Sequence, residues 1–205
     1  LQCHKRGPAK WQRLEKYFET RLEDLVISWP SQEKISLQLP SNGTKKGGLY
    51  TIDGEGKNFF KIIDQVYGFT ANWAPDGQKF IFSSTDEKGG NLTFTFYQLK
   101  GQEQKILKST TLPEKCVWSQ NSRYLFCAVP QQISAYAVWP DDYKKRVLST
   151  EDDFYKIDTL TDERTRLAAS KTEKAFDAKD LFLSLDEDYL FFINQRDGLL
   201  YSLEL

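Results

Sequence analysis

The chain has 205 residues, 40% of them hydrophobic and 14% aromatic, and its 28 basic and 29 acidic side chains leave a net charge of −1. Such a chain is long and apolar enough for one domain with a packed core, and its charge balance provides no basic stripe for nucleic acid. No apolar run approaches the roughly 20 residues of a membrane-spanning helix, and one histidine with three cysteines and no C-x-x-C pair gives no closed zinc set.

The first 24 residues read as a leader. The start at Leu1, in a chain without methionine, leads to the expectation of a processed or trimmed piece whose upstream sequence could hold a signal or anchor. His4, the only histidine, lies here, as does Cys3. Trp11, Leu14, Phe18, Leu22 and Leu25 fall at helical spacing after Pro8, which predicts a helix. A strand at Trp11–Tyr17 is the rival reading, because Trp11 precedes Ser28 by 17 residues much as Asn58 precedes Trp73 by 15. Both readings stand.

From residue 25 onward the sequence repeats. SWPSQEKISL at 28–37, WAPDGQKFIF at 73–82, WSQNSRYLFC at 118–127 and LSLDEDYLFF at 183–192 share one pattern: a large residue, a turn, and an apolar strand. Ser28, Trp73 and Trp118 are spaced by 45 residues, and the next step is 65, so the third copy carries about 20 extra residues. A second strand follows each hairpin, at Leu49–Asp53, Phe94–Gln98, Phe154–Asp158 and Leu200–Glu204. Outer strands are predicted at Asn58–Ile63, Gln104–Leu107 and Thr165–Leu167, and the fourth copy stops at Leu205 before its own. Short strands at a period in the forties predict an all-β fold, a β-propeller of four blades, each a four-stranded antiparallel sheet. The blades span about residues 25–66, 67–111, 112–170 and 171–205. Either they close as a ring or they belong to a larger propeller. Trp73 and Trp118, in the slot before the turn, are expected to be core.

Cys116 and Cys127 flank the Asn121-Ser122 turn symmetrically, five residues away on either side. In an antiparallel hairpin that symmetry sets them opposite each other, close enough for a disulfide. Two buried free thiols are the plainer alternative. A disulfide would imply an oxidising, extracytoplasmic compartment.

The extra residues of the third copy, roughly Val129–Glu151, are the best position for function, because propeller strands serve packing and recognition falls to loops. Tyr136, Trp139 and Tyr143 stand there beside Asp141 and Asp142, a mixture suited to a contact surface. The same aromatics could instead fold back over the edge of their own sheet. Asp141, Asp142, Asp152 and Asp153, with Glu151, form a weak calcium candidate without the D-x-D-x-D-G order. Paired loop acids could also serve a glycosidase, although most such pairs are solvated turn formers. Neither a G-x-S-x-G elbow nor a phosphate-binding glycine loop is present. No catalytic residue and no cofactor is expected.

Trp-Ala-Pro-Asp-Gly-Gln-Lys-Phe at 73–80 resembles the W-S-P-D-G hairpin of TolB-like propeller repeats, which also build the non-catalytic propellers of prolyl oligopeptidases. The other copies are degraded: Pro30-Ser31-Gln32 keeps the Pro, Asn121-Ser122 the turn chemistry, and Asp186-Glu187 the Asp. Leu112–Ser119, Cys127–Pro130, Trp139–Tyr143 and Leu181–Phe192 are similar to segments of propeller proteins of candidate-phylum bacteria that often follow a single membrane anchor. What this resemblance implies is a non-enzymatic binding or scaffold propeller of the cell envelope, meeting a protein or envelope ligand through loops of one face. It would touch the membrane only through an anchor outside this chain. Alternatives are an accessory propeller of a larger hydrolase, or a carbohydrate- or metal-dependent enzyme using the acidic loop. A homodimer completing an eight-blade ring is a further expectation.

Overall fold

In a computed structural model, residues 16–39, 41–170 and 175–205 are described. The first blade consists of β1 (Val26–Ser31), β2 (Lys34–Leu39), β3 (Lys46–Asp53) and the start of β4 (Phe60–Trp73). The second consists of the rest of β4 with β5 (Lys79–Thr85), β6 (Thr93–Gln98) and β7 (Glu103–Ile106). All seven strands form one antiparallel sheet in chain order. The third blade is β8 (Cys116–Trp118), β9 (Tyr124–Pro130), β10 (Asp152–Asp158) and β11 (Arg164–Ala168). Among the described residues the fourth has three strands, β12 (Ala178–Leu183), β13 (Tyr189–Asn194) and β14 (Leu200–Glu204). This is an all-β propeller-like array of antiparallel sheets.

The outer strand expected at Asn58–Ile63 begins at Phe60 and does not stop. β4 pairs with β3 as far as Lys46↔Tyr67 and with β5 from Tyr67↔Thr85 to Trp73↔Phe80. One strand is thus the outer edge of one blade and the inner edge of the next. The bend falls at Gly68, φ +59°, where a β-carbon would sit 2.5 Å from Thr85 Oγ1, so the crossing needs glycine.

Successive side chains of a strand point to opposite faces, so a strand sandwiched between blades must be apolar on both. Phe80 and Phe82 pack toward the first blade with Leu49 and Phe69, whereas Ile81 packs toward the third with Phe94, Trp118 and Leu125. In β9, Leu125, Cys127 and Val129 face the second blade, and Phe126 and Ala128 face the fourth with Leu190 and Phe192. Trp118 is buried, and its Nε1 donates to Asn72 O at 3.2 Å. Trp73 is half-buried, with its Nε1 donating to Ser36 Oγ at 2.9 Å.

The terminal blades differ. Residues 16–25 form no helix or strand. Phe18, Leu22 and Leu25 instead cover Ile35, Leu37, Tyr50 and Ile52 on the outer face of the first blade, and Tyr17 Oη donates to Gly54 O. The helical spacing of Phe18, Leu22 and Leu25 therefore marks a sheet-covering strap. Trp11, Leu14, His4, Cys3 and most of the proposed closing strand lie outside the described residues. Among the described residues no helix is long and apolar enough to cross a membrane.

Cys116 and Cys127 are cross-strand partners in the β8–β9 register and form a disulfide, with Cα atoms 4.2 Å apart and both residues buried. The bridge closes a short loop, with a sequence separation of 11. Replacing both cysteines by alanine should lower the unfolding free energy by about 2–3 kcal/mol. Urea unfolding of the double variant beside the oxidised protein checks this, and equal midpoints would refute it.

Candidate functional site

The extra residues of the third blade, 131–151, leave β9 and return to β10 through a neck closed by Gln131 N donating to Glu151 O at 2.7 Å. They do not stay over their own blade. Trp139 N donates to Gly89 O at 2.9 Å, and Gly43 N to Asp141 Oδ1 at 3.4 Å, so the insertion reaches the β2–β3 and β5–β6 connections. Val138 fills the space between those connections. A β-carbon on Gly43 would come within 2.5 Å of Val138 Cγ1, and one on Gly89 within 2.6 Å.

Within the insertion, Trp139 and Tyr143 are 1% and 5% exposed and form a small core with Leu92, Leu112 and Ala137. Asp141 begins the single turn α1 (Asp141–Lys144), and Asp142 Oδ2 accepts from Val138 N at 2.8 Å. Trp139 and Tyr143 thus lie beneath the surface but not over the edge of their own sheet, since they pack with Leu92 of the β5–β6 connection, and Asp141 and Asp142 hold backbone. Tyr136, in contrast, is 98% exposed.

Beneath the insertion lies a polar cluster absent from the sequence reading. Lys115 closes the 3-10 turn before β8 and is completely buried. Its Nζ lies 2.7 Å from Asp152 Oδ2, 2.8 Å from Thr150 Oγ1, 3.0 Å from Asp177 Oδ1 and 3.0 Å from Tyr143 Oη. Asp177 also accepts from Tyr143 Oη (3.1 Å), Thr150 Oγ1 (2.9 Å), Ser149 Oγ (2.9 Å) and Thr150 N (3.2 Å). Asp152 Oδ2 accepts in addition from Ala178 N at 2.8 Å, while its Oδ1 is buried without a hydrogen bond. Gln195 Nε2, from the β13–β14 turn, donates to Tyr143 Oη at 2.6 Å.

These contacts move the two carboxyls apart. Burial pushes Asp152 above the usual carboxylate range, and the Lys115 charge only partly offsets it. Burial also acts on Asp177, but the Lys115 charge and hydrogen bonds from Lys115, Ser149 and Thr150 outweigh it and hold the group low. Burial, followed by the Asp177 and Asp152 charges, raises Tyr143. Asp153 is engaged separately: its Oδ1 accepts from Gln131 Nε2 and Ser170 N, both at 3.0 Å, and its Oδ2 pairs with Arg166 at 3.1 Å. The four acids of the calcium candidate are therefore committed to backbone or to cations. Among the described residues no group of three or more His, Cys, Asp or Glu could hold a metal ion.

Over this floor opens a cleft of about 550 Å³ between the insertion and the β13–β14 turn, lined by Gln131, Gln132, Ser134, Tyr136, Glu151 and Arg196 with others. Arg196 Nη2 donates to Thr150 O at 2.9 Å, linking the cleft wall to the cluster. A second cleft of about 490 Å³ continues beyond Gln131 and Gln132 toward Arg164 and Arg166. A larger hollow of about 740 Å³ lies on the rim between the first two blades. Strand side chains line most of it, so the loop-built cleft is the better candidate for recognition.

No protein-family profile matches the chain, and no curated protein matches it in sequence. Its fold is similar to that of solved propellers. TolB from Acinetobacter baumannii superposes with a TM-score of 0.56 at 13% identity, over 87% of this chain and 41% of that one. The tricorn protease gives 0.55 at 8%, over 81% and 14%. The β-propeller domain of the Trilobed protease from Pyrococcus furiosus, described as having an open velcro topology, gives 0.52 at 14%, over 88% and 55%. The chain therefore spans less than half the TolB chain and a small part of the tricorn protease. The TolB-like propeller fold rests on these likenesses; the narrower resemblance to propellers of candidate-phylum bacteria finds no support in them.

The cluster has a testable pH signature. Asp177, held low in the fold, contributes stability that is present above the carboxyl's unfolded value of about 3.9 and lost as pH falls through its folded value. Asp152, held high, has the opposite sign: its contribution is favourable below that value and is lost as pH rises through its folded value. Asp177→Asn should therefore destabilise by about 3 kcal/mol near neutrality, because it leaves Lys115 underpaired, and by progressively less in acid. Asp152→Asn should destabilise less than Asp177→Asn near neutrality. Urea titrations of both variants between neutral and acid pH check the order, and equal losses for the two at neutral pH would refute it.

Proposed function

We propose that this chain is a non-enzymatic binding propeller that holds a protein or cell-envelope ligand in the cleft between the insertion and the β13–β14 turn. The observation that carries this reading is a concave, loop-built cleft fastened from below by a buried ion cluster. A floor tied at Lys115 keeps the cleft's shape before any ligand arrives, which limits the ordering that binding requires. Tyr136 offers a large amphipathic ring fully to solvent at the rim, the type of residue that anchors protein interfaces. Gln132 and Ser134 supply neutral donors and acceptors suited to a polypeptide backbone.

The cleft chemistry favours binding over catalysis. Glu151 is the one carboxylate among its lining residues, whereas glycoside hydrolysis uses two facing carboxyls. The buried disulfide supports an extracytoplasmic setting, where such bonds persist. The likeness to propellers of the tricorn and trilobed proteases supports a second reading, an accessory propeller that positions a hydrolase carried elsewhere. In that case the same cleft would hold a segment of the enzyme or of its substrate.

A random-peptide display library panned on the purified chain tests the proposal. Enriched peptides should bind Tyr136→Ser at least about tenfold more weakly, with the melting temperature unchanged. Peptides that bind the variant as well as the parent would exclude the cleft as the recognition surface.

A further inference from the structure

Strand β11 forms the edge of the third blade, paired with β10 alone, and it carries Arg164 and Arg166 two residues apart. Alternate residues of a strand share a face, so the registers Tyr155↔Arg166 and Asp153↔Val129 set both arginines beside Tyr155 and Asp153. Together these side chains line the cleft of about 490 Å³. The two cations are held differently. Arg166 Nη2 pairs with Asp153 Oδ2 at 3.1 Å while 53% of its side chain stays exposed. The Arg164 guanidinium lies 5.4 Å from the centroid of the Tyr155 ring, and among the described residues it pairs with no carboxylate. An aromatic face orients a guanidinium without neutralising it. Two arginines against one aspartate therefore leave this cleft one positive charge, on a chain whose net charge is −1.

The cleft adjoins the one between the insertion and the β13–β14 turn, because Gln131 and Gln132 line both. Gln131 Nε2 donates to Asp153 Oδ1 at 3.0 Å, so the dividing wall is tied to the same aspartate that holds Arg166. On the insertion side, Arg196 is engaged by Thr150 O at 2.9 Å, and Glu151 repels an acidic group. Across the wall the arginines attract one. We infer that the second cleft is a carboxylate subsite, with Arg164 as the main partner of an Asp or Glu side chain in an extended polypeptide ligand. The inference rests on the peptide-binding reading of the first cleft. A guanidinium fork meets a carboxylate through two parallel hydrogen bonds. A single positive charge matches one carboxylate better than a phosphate, which carries about −1.5 to −2 and would stand against Asp153.

The two clefts then divide the work of recognition. The first, with Tyr136, Gln132 and Ser134, meets features that most polypeptides share. The second selects those that place an acid beyond the Gln131–Gln132 wall, and a ligand with a basic residue there meets two arginines and is rejected.

Fluorescence anisotropy with peptides enriched by panning the oxidised full chain tests the inference, each peptide being paired with a copy whose Asp and Glu are replaced by Asn and Gln. The enriched set should share an acidic residue, and its amide copies should bind at least about tenfold more weakly. Arg164→Gln should weaken the acidic peptides by a similar factor and leave the amide copies unaffected, the coupling expected of a direct pair. Its melting temperature should match the parent's. Lys100→Gln removes an exposed positive charge from the 3-10 turn between β6 and β7 and should leave binding unchanged. No enriched peptide, no preference for an acid, indifference to Arg164→Gln, or equal weakening by Lys100→Gln would each overturn the inference. So would an oligouronate that binds through Arg164 where acidic peptides do not. Acid-dependent binding that needs Arg164 but ignores Tyr136→Ser would refute the first cleft and support the subsite. Binding that needs Tyr136 and ignores Arg164 would do the reverse.

Discussion

Everything in this architecture follows from strands that must be buried on both faces. A single small antiparallel sheet with one apolar face can be covered by one partner, but Phe80, Ile81 and Phe82 are all buried, as are the consecutive residues Leu125 to Val129. Alternation sends neighbouring side chains of such a run to opposite sides, so each interior blade requires a blade on either flank. Stacking satisfies every interior blade and leaves the problem at the two ends. The first blade meets it with a strap of irregular chain. The fourth presents Phe182, Tyr189 and Leu200 to solvent.

The disulfide belongs to the same logic. Cys116 and Cys127 lie in the cluster joining the second and third blades, side by side with Trp118, Leu125 and Val129. β8 has three residues, so its ladder to β9 is short. A covalent link from its first residue to the middle of β9 fixes the hairpin's register at the position where a one-residue slip would turn both strands inside out.

The repeat was legible because it is written in the residues that pack. A large residue, a turn and an apolar run recur wherever a blade recurs, and the cysteine symmetry about Asn121-Ser122 carried the β8–β9 register with it. What escaped was chemistry without a period. Lys115 follows Pro113-Glu114 like any surface lysine, and Asp177 is one acid among several near Phe176. Their meeting depends on where the insertion folds, which no local pattern encodes. The insertion aromatics were visible as a group, but hydrophobicity does not separate a buried Trp139 from an exposed Tyr136. One local signal was available and unused: Asp53 and Asp86 both open an Asp-x-x-Gly-x-Asn turn. In each, the Asp Oδ1 accepts from the amides two and four residues on, and Oδ2 accepts from the Asn side chain.

The ion cluster under the insertion raises the question of why a core position there is not simply apolar, since buried ion pairs are often matched or bettered by well-packed hydrophobic replacements. The answer lies in what else arrives at that point. The end of the insertion, the start of β10, the connection into β12 and the β13–β14 turn converge with backbone groups that no strand ladder serves. Asp152 accepts from Ala178 N, Asp177 from Thr150 N, and Asn194 Oδ1 from Asp177 N. Apolar residues in place of the two acids would leave the Ala178 and Thr150 amides buried and unpaired, each costing about 1–3 kcal/mol. Carboxylates are needed as acceptors for irregular backbone, and Lys115 is needed because two carboxylates this close could not otherwise be accommodated. The cluster is thus the means by which a 20-residue detour between two strands is seated on a propeller without a sheet of its own.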